Sequence, residues 1–578
     1  MKNTNRSFYV CDFETSTEKW YEIDGYARVW LWGLYSSENN QFEYGCDLDS
    51  FMKRVLVKSP SGNPVIYFHN LKFDGSYILN WLFRHGYTYD EDLKGVNTFK
   101  TSISDVGLWY TIEVNIYQHR NQRYIIRFQD SLKKIPLSVR DIPKAFNLID
   151  LCKGELDYDL YRPVGYQPNK DELSYLFNDC AIVSQALKKL EGQGFTKMTG
   201  SSDAFFSWKL SLQSDVARRK HVKPEHTYRS IFPKVSIEVD DYIRRAYRGG
   251  WTYVNPKFAG QIITHPVEVY DINSMYPSKM VDKYLPMGEP IFFKGEPHPN
   301  KYQCYIARVR LCFDIKPNHL PCIQLKNSYL FNPTEYVTTS NNNEVEIVVT
   351  NVDLKLIFSQ YIVSSFKYID GYYFRKCKGY FDRHIEKNMA IKEKAVGGER
   401  YIAKSRMNQV YGKTATSPHK RMKIPYLVDG ILRFDMSLEK VEEPEYTALG
   451  CFITAWARHD IILDAQANYD NFIYCDTDSL HLLARVDGTE PNLPIHPTKL
   501  GFYKLEHRVT KSIFLRSKTY VEQYENGYIE VKCAGASPEV KKGMNFDNFK
   551  VGSSFTGKLM PKQVEGGCIL VNTIFTII

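Results

Sequence analysis

No two of the twelve cysteines form a C-x-x-C pair, so the chain has neither a zinc-ribbon ligand set nor a dithiol redox motif, and a reducing, cytosolic setting is the simplest home. Long apolar runs are missing too. Lys2 and Arg6 precede the run Phe8-Tyr9-Val10-Cys11, but that run stops at Asp12, too short for a signal-peptide core. The apolar tail over 568–578 is interrupted by Asn572, Thr573 and Thr576, and it is shorter than the roughly 20 residues a spanning helix needs. No membrane partner is expected. There is no fixed-period repeat and no low-complexity tract beyond Asn341-Asn342-Asn343, which excludes solenoids and propellers.

What is present is a chain of 578 residues, 43% hydrophobic and 14% aromatic, enough for roughly four globular units. The net charge of +9 is unevenly spread. Residues 208–250 carry ten basic and five acidic side chains, and residues 371–425 carry fourteen and four. A basic run is by itself only a solvated surface. The second run, however, is interleaved with Tyr372, Tyr373, Phe374, Tyr380, Phe381, Tyr401 and Tyr411, which suits phosphate contact combined with base stacking.

The first third mixes short β-rich runs with the helical pattern around Leu173 to Leu190 and reads as an α/β domain ending within the Gly/Thr/Ser-rich residues 192–202, after which a β-rich pattern with helical insertions resumes. Acids two apart arise by chance about seven times in this composition, so no single D-x-E or D-x-D is informative. Context supplies the information. Asp12 and Glu14 follow a strand-like run and share one face, with Phe13 on the other. Asn70 and Asp74 follow the run Val65-Ile66-Tyr67-Phe68, while Tyr175 and Asp179 stand four apart on a helix. Each pair alone suits a solvated surface as well as a metal site. Together, acids at two strand ends and on a helix can hold the two hard cations that phosphodiester hydrolysis uses, with Tyr175 orienting water. The set resembles the DEDD-type 3′–5′ exonuclease domain of family B DNA polymerases.

A second set lies downstream. Val267-Glu268-Val269-Tyr270 leads into Asp271-Ile272-Asn273-Ser274-Met275-Tyr276-Pro277, an acid at a strand end before a Pro-containing turn. Phe472-Ile473-Tyr474-Cys475, Asp476-Thr477-Asp478-Ser479 and Leu480-His481-Leu482-Leu483 read as strand, acidic turn, strand. Such a D-x-D also occurs in nucleotide-sugar glycosyltransferases. Lys404, Asn408 and Tyr411 occupy one face of a helix ending at Gly412, a poor apolar stripe.

In order, these segments resemble motifs A, B and C of family B DNA polymerases, with Met275 where the family has leucine and Gln409 where it has serine. Tyr247-Arg248-Gly249-Gly250 resembles the Y-x-G-G segment, and Lys518-Thr519-Tyr520 the K-x-Y motif at the primer end. Cellular members are larger and carry an added N-terminal domain for which there is no room before Asp12. The closest resemblance is to the compact protein-primed branch, the phi-twenty-nine type, which Thr15, Leu151-Cys152-Lys153-Gly154, Asp157-Tyr158 and Thr350-Asn351-Val352-Asp353 also match. The runs flanking Asp429-Gly430 predict a two-residue hairpin in the second of two insertions typical of the branch.

The resemblance implies an α+β and α/β multidomain fold: an RNase H-like 3′–5′ exonuclease domain (1–199), then a right-hand polymerase. Its parts are a first palm segment (200–282), a first insertion that receives the terminal protein (283–380), fingers (381–414), a second, hairpin insertion (415–447), a second palm segment (448–533) and a thumb (534–578). It further implies Mg²⁺, with Mn²⁺ as a substitute, held by Asp271 and Asp478 beside Asp476, and separately by Asp12, Glu14, Asp74 and Asp179. Lys404, Lys392, Ser274, Tyr276, Asn408 and Tyr411 would receive the dNTP. Thr15, Asn70, Phe73 and Lys153 would grip single-stranded DNA, and Tyr247, Gly249, Gly250, Lys518 and Tyr520 the primer-template. The implied partners are DNA, dNTPs and a terminal protein primer, with the chain a monomer or a heterodimer with that protein in the host cytoplasm. A nucleic-acid-primed family B polymerase, an exonuclease without polymerase activity and a non-catalytic DNA-binding module are the alternatives.

Overall fold

The computed structural model describes residues 7–57, 63–120, 122–298, 304–324 and 336–578; Lys2, Arg6 and two stretches of the expected 283–380 insertion lie outside the described residues. Among these residues, three sheets of four or more strands organise the chain. The first has eight strands, with Tyr9–Thr15 at its centre between antiparallel Val29–Ser36 and parallel Val65–Phe68. Alternation along Tyr9–Thr15 sends Phe13 into the core, edge-on to Phe51 at 4.9 Å and Phe68 at 5.0 Å, and leaves Asp12 and Glu14 on the opposite face. The strand does not stop at Asp12: burial of Phe13, about 2–3 kcal/mol for such a ring, carries the pairing on to Glu14 opposite Leu31. The helix Lys170–Gly192 closes this face, started by an Asn169/Glu172 capping box.

Beyond residue 199 the β-rich pattern with helical insertions does resume, but only from Thr252. Four helices come first: Gly200–Ser211, Asp215–Arg219, Pro224–Ile231 and Ile237–Arg244. The side chains of Thr199, Ser214 and Ser236 accept backbone N–H groups at three of the four starts, so residues that read as turn formers act as helix caps.

The second sheet runs in the order Ile529–Cys533, Thr519–Tyr524, Tyr503–Arg516, Val267–Ile272, Ser479–Leu483, Phe472–Asp476, Thr252–Val254, with Ile262–Ile263 also on Tyr503–Arg516. It is backed by the helix Thr447–Gln466, buried over most of its length. Two antiparallel-connected helices, Asp382–Lys394 and Gly397–Thr414, pack against Gly200–Ser211 beside it. The third sheet orders Leu285–Lys294, Tyr361–Cys377, Cys304–Ile315 and Val345–Thr350.

Two hairpins close the molecule. Lys423–Val428 and Ile431–Met436 pair over six residues through Asp429 (φ 50°) and Gly430 (φ 74°), the left-handed pair a two-residue turn demands. The last strands, Ser554–Val564 and Gly567–Thr576, fold back on the first domain, where Val564, Cys568 and Ile569 join its core together with Leu432. Gly566 makes this possible: a β-carbon there would fall 2.2 Å from the Ala27 carbonyl oxygen. No helix among the described residues is long and apolar enough to cross a membrane.

Candidate active sites

The first sheet carries one carboxylate cluster. Asp12 and Glu14 project from the central strand, Asp74 from the first turn of the helix Leu71–Arg84, and Asp179 from the middle of Lys170–Gly192. Glu14, Asp74 and Asp179 are buried, and a cavity of about 710 Å³ opens over Asp12, Glu14 and Asp179. The charges oppose one another. Burial and the Asp179 carboxylate push Asp12 up to about 7, and burial followed by neighbouring carboxylates raises Glu14 and Asp74. Burial also raises Asp179, against the pull of Lys153, whose ammonium is ion-paired with it.

Lys153 stands 4.7 Å from the centre of the Tyr175 ring, and the Tyr175 hydroxyl is 3.0 Å from that of Tyr158. Thr15, Phe73 and Lys153 line the same cavity. Asn70 caps the helix Leu71–Arg84 in left-handed conformation (φ 81°), with its N–H donated to Asp130 Oδ1 at 3.0 Å. In the sequence Asp157-Tyr158 stands out only as a match to the branch, with no role given to Tyr158; the structure brings its hydroxyl to Tyr175.

The second cluster forms where Val267–Ile272 and Ser479–Leu483 lie side by side, with Asp271 opposite Ser479 and the Ile272 N–H donated to the Asp478 carbonyl at 2.8 Å. The turn between the motif C strands is as tight as it reads: Thr477 is left-handed (φ 67°) and its N–H binds the Trp251 carbonyl at 2.9 Å. Burial, then Asp478 and Glu506, push Asp271 up to about 6, opposed by Lys504 and Lys404. Asp478 is raised by burial, Asp476 and Glu506, with Lys404 opposing. The groove beside them, about 630 Å³, is also lined by Asp476, Lys518 and Tyr520. Lys518 Nζ lies 3.4 Å from Asp476 Oδ1.

Around this groove, Tyr276 and Tyr411 stack with centroids 4.2 Å apart, and Lys392 Nζ donates to Ser274 Oγ at 3.2 Å. Lys404 is exposed on the helix Gly397–Thr414, whose exposed and half-buried positions include Asn408. That helix runs on to Thr414, past Gly412. Tyr247 packs half-buried in the core below, Gly249 meets open space, and Gly250 is pressed against Thr477 and Tyr276. Gln409 turns to Gly200, placing its Oε1 2.7 Å from where a β-carbon on that glycine would sit. Sequence reading missed Lys504, 3.8 Å from Asp271, and Glu506, two residues along the same strand face; their alternation next to Tyr503 was the available signal.

Among the described residues no three carboxylate, histidine or cysteine side chains form a closed ligand set. Both clusters are nonetheless suited to hard divalent cations: they are mutually repelling oxygen donors, the first mostly buried and the second half-buried, and Asp179 Oδ1 is buried without a hydrogen-bond partner.

Comparison with known proteins agrees with this arrangement. The family model "DNA polymerase type B, organellar and viral" matches residues 60–167 and 160–487. The DNA polymerase of Bacillus phage B103 is 39% identical over 99% of this chain and 100% of its own length, that of Bacillus phage phi29 is 38% identical over 100% of both, and that of Streptococcus phage Cp-1 is 32% identical over 99% and 98%. The solved structure of phi29 DNA polymerase complexed with primer-template DNA and incoming nucleotide substrates superposes with a TM-score of 0.90 at 36% identity, covering 99% of this chain and 100% of that one. The chain therefore belongs to the organellar and viral type B DNA polymerases and, among them, to the phage phi29 type, nucleotidyltransferases of DNA replication.

Proposed function

We propose that this polymerase copies a linear phage genome in the host cytoplasm, starting on a terminal protein, displacing the opposite strand and proofreading with a separate 3′–5′ exonuclease site. The observation that carries the reading is the pairing of two independent carboxylate clusters, one beside each of two grooves in different sheets. Primer-template and single-stranded DNA and dNTPs are the partners this implies, as in the solved complexes of phi29 DNA polymerase. The enzyme would act as a monomer or as a heterodimer with its terminal protein.

Asp271 and Asp478, with Asp476 beside them, would hold Mg²⁺ in the palm, and Asp12, Glu14, Asp74 and Asp179 in the nuclease cleft, Mn²⁺ substituting. When bound, these ions activate the attacking oxygen and stabilise charge on the leaving one. The chain's own residues orient and neutralise. Lys404, assisted by Lys392, offsets the triphosphate charge, and Ser274 and Asn408 complete that wall. Tyr276 and Tyr411 form a stacked floor for sugar and base, Tyr276 excluding a ribose 2′-hydroxyl. Tyr247, Gly249 and Gly250 approach the primer-template, and Lys518 and Tyr520 its primer end. In the cleft, Tyr175 and Tyr158 orient water, while Thr15, Asn70, Phe73 and Lys153 hold the frayed strand.

Asp478→Ala abolishes primer extension and spares degradation of single strands; Asp12→Ala with Glu14→Ala does the reverse. Extension surviving the first change, or degradation surviving the second, refutes the assignment. Protein priming is tested on a linear origin template without oligonucleotide, with and without terminal protein, by looking for a nucleotide joined to protein. Its absence leaves a nucleic-acid-primed polymerase.

A further inference from the structure

The turn Ser517-Lys518, with Tyr520 just after it, joins strands Tyr503–Arg516 and Thr519–Tyr524. In pairing order, Thr519–Tyr524 is three strands away from Ser479–Leu483, with Tyr503–Arg516 and Val267–Ile272 between them. In a flat sheet that offset separates backbones by about 14 Å. Glu522 of the first strand nevertheless accepts a hydrogen bond from His481 Nδ1 of the last at 2.8 Å. The sheet has curled until its two sides meet.

Irregular register marks where it bends: between Val269 and Tyr270, between Val509 and Lys511, and between Phe514 and Arg516. Across the closure, the Lys518 N–H is donated to the Tyr474 hydroxyl at 2.9 Å, and His507 Nε2 stands 3.8 Å from the second Glu522 oxygen. His481 and Glu522 are 2% and 1% exposed, so neither solvates a surface. Burial would raise the Glu522 carboxyl, but His481 and His507 outweigh it and hold it down to about 2. The Tyr520 ring packs directly on this pair, 5.7 Å from the His481 ring and 5.3 Å from Phe514.

A buried polar pair adds little net stability compared with apolar packing, and its best-attested use is to fix one arrangement among several. Here the arrangement fixed is the curl itself, three residues beyond Asp478 on one strand and two beyond Tyr520 on another. We propose that His481 and Glu522 are positioning residues, a latch that holds the Lys518–Tyr520 turn over the palm carboxylates and thereby sets how firmly a primer 3′ end stays in the palm instead of passing to the nuclease cleft. This rests on the two-site reading given above.

The test compares full-length wild type with Glu522→Gln and His481→Asn on a primer-template, reading the dNTP concentration at which net degradation turns to net extension. Single-strand degradation serves as the control for folding. The latch predicts that the switch concentration rises about tenfold in both variants, as for loss of a charge-assisted hydrogen bond, while single-strand degradation stays within about twofold. In an Asp12→Ala/Glu14→Ala background, the Kd for primer-template rises and the KM for dNTP does not, a split that general destabilisation does not produce. If Glu522→Gln does not fold, His507→Asn, which removes only the outer partner, shifts the switch in the same direction by less. Folded variants with an unchanged switch overturn the latch. A wild type that fails either to extend or to degrade overturns the two-site reading instead.

Discussion

Gly250 is packed so closely under Tyr276 that a β-carbon on the glycine would stand 2.9 Å from the tyrosine hydroxyl and 2.6 Å from Thr477 Cγ2. Both contacts lead to the second carboxylate cluster: Tyr276 stacks on Tyr411, and Thr477 separates Asp476 from Asp478. A methyl group at position 250 must displace one of them. Gly250→Ala is expected to lower primer extension by about tenfold or more, a displacement of reacting groups by a few tenths of an ångström being enough, while single-strand degradation is unchanged. Parallel assays of extension and degradation on the purified variant check this.

Lys153 places its ammonium against Asp179 and over the Tyr175 ring, in the lining of the cavity over the first carboxylate cluster. It is the cation that the cluster of four carboxylates has close at hand, and it also faces the space a phosphate would enter. Lys153→Ala is expected to cut single-strand degradation by about a hundredfold, in the range of losing one preorganised electrostatic contact, and to leave extension of a paired primer intact. Loss of both activities in the same proportion would contradict this placement.

The strand carboxylates were legible because they sit beside short apolar runs whose alternation fixes their face: Cys11 and Phe13 turn inward and commit Asp12 and Glu14 to the other side, while Asp179 was legible only from its helical spacing to Tyr175. The Asp429-Gly430 turn was legible for a local reason as well, since only a left-handed pair closes a two-residue hairpin. What was not legible depends on contacts distant in sequence. Lys504 faces Asp271 because of strand register, His481 meets Glu522 because the sheet curls, and the helices starting after Thr199, Ser214 and Ser236 were hidden by caps that also suit turns. Gly566 carries no local sign that Ala27 will press against it.

Besides the packing of Val564, Cys568 and Ile569, closure of the C-terminal hairpin onto the first sheet is held by polar contacts, two of them to its backbone carbonyls. The Tyr77 hydroxyl donates to the Cys568 carbonyl at 2.5 Å, and the Ala27 N–H to the Glu565 carbonyl at 2.9 Å. Tyr77 is fully buried, so Tyr77→Phe leaves that carbonyl without its partner at a cost of about 1–3 kcal/mol. In a multidomain chain that cost is best read locally. Hydrogen exchange of amides in Gly567–Thr576 is expected to accelerate about tenfold or more, with the strand Phe472–Asp476 unaffected.

Asp460 ties the helix Thr447–Gln466 to the helix Met275–Asp282 that follows motif A: its carboxylate lies 2.6 Å from Lys279 Nζ and 2.9 Å from Lys283 Nζ. Burial would raise this carboxyl, but His459 and the two lysines together hold it well below the ordinary range. A carboxyl depressed in the folded state contributes stability that is fully present above its unfolded pKa, about 3.9, and is lost as pH falls toward the folded value. Asp460→Asn is therefore expected to unfold at lower temperature than wild type at pH 7, and the gap should narrow steadily below about pH 4. Thermal unfolding of both proteins from pH 7 down to pH 3 tests the sign: a gap that is constant with pH, or that widens in acid, would mean that the lysines are not what holds this carboxylate charged.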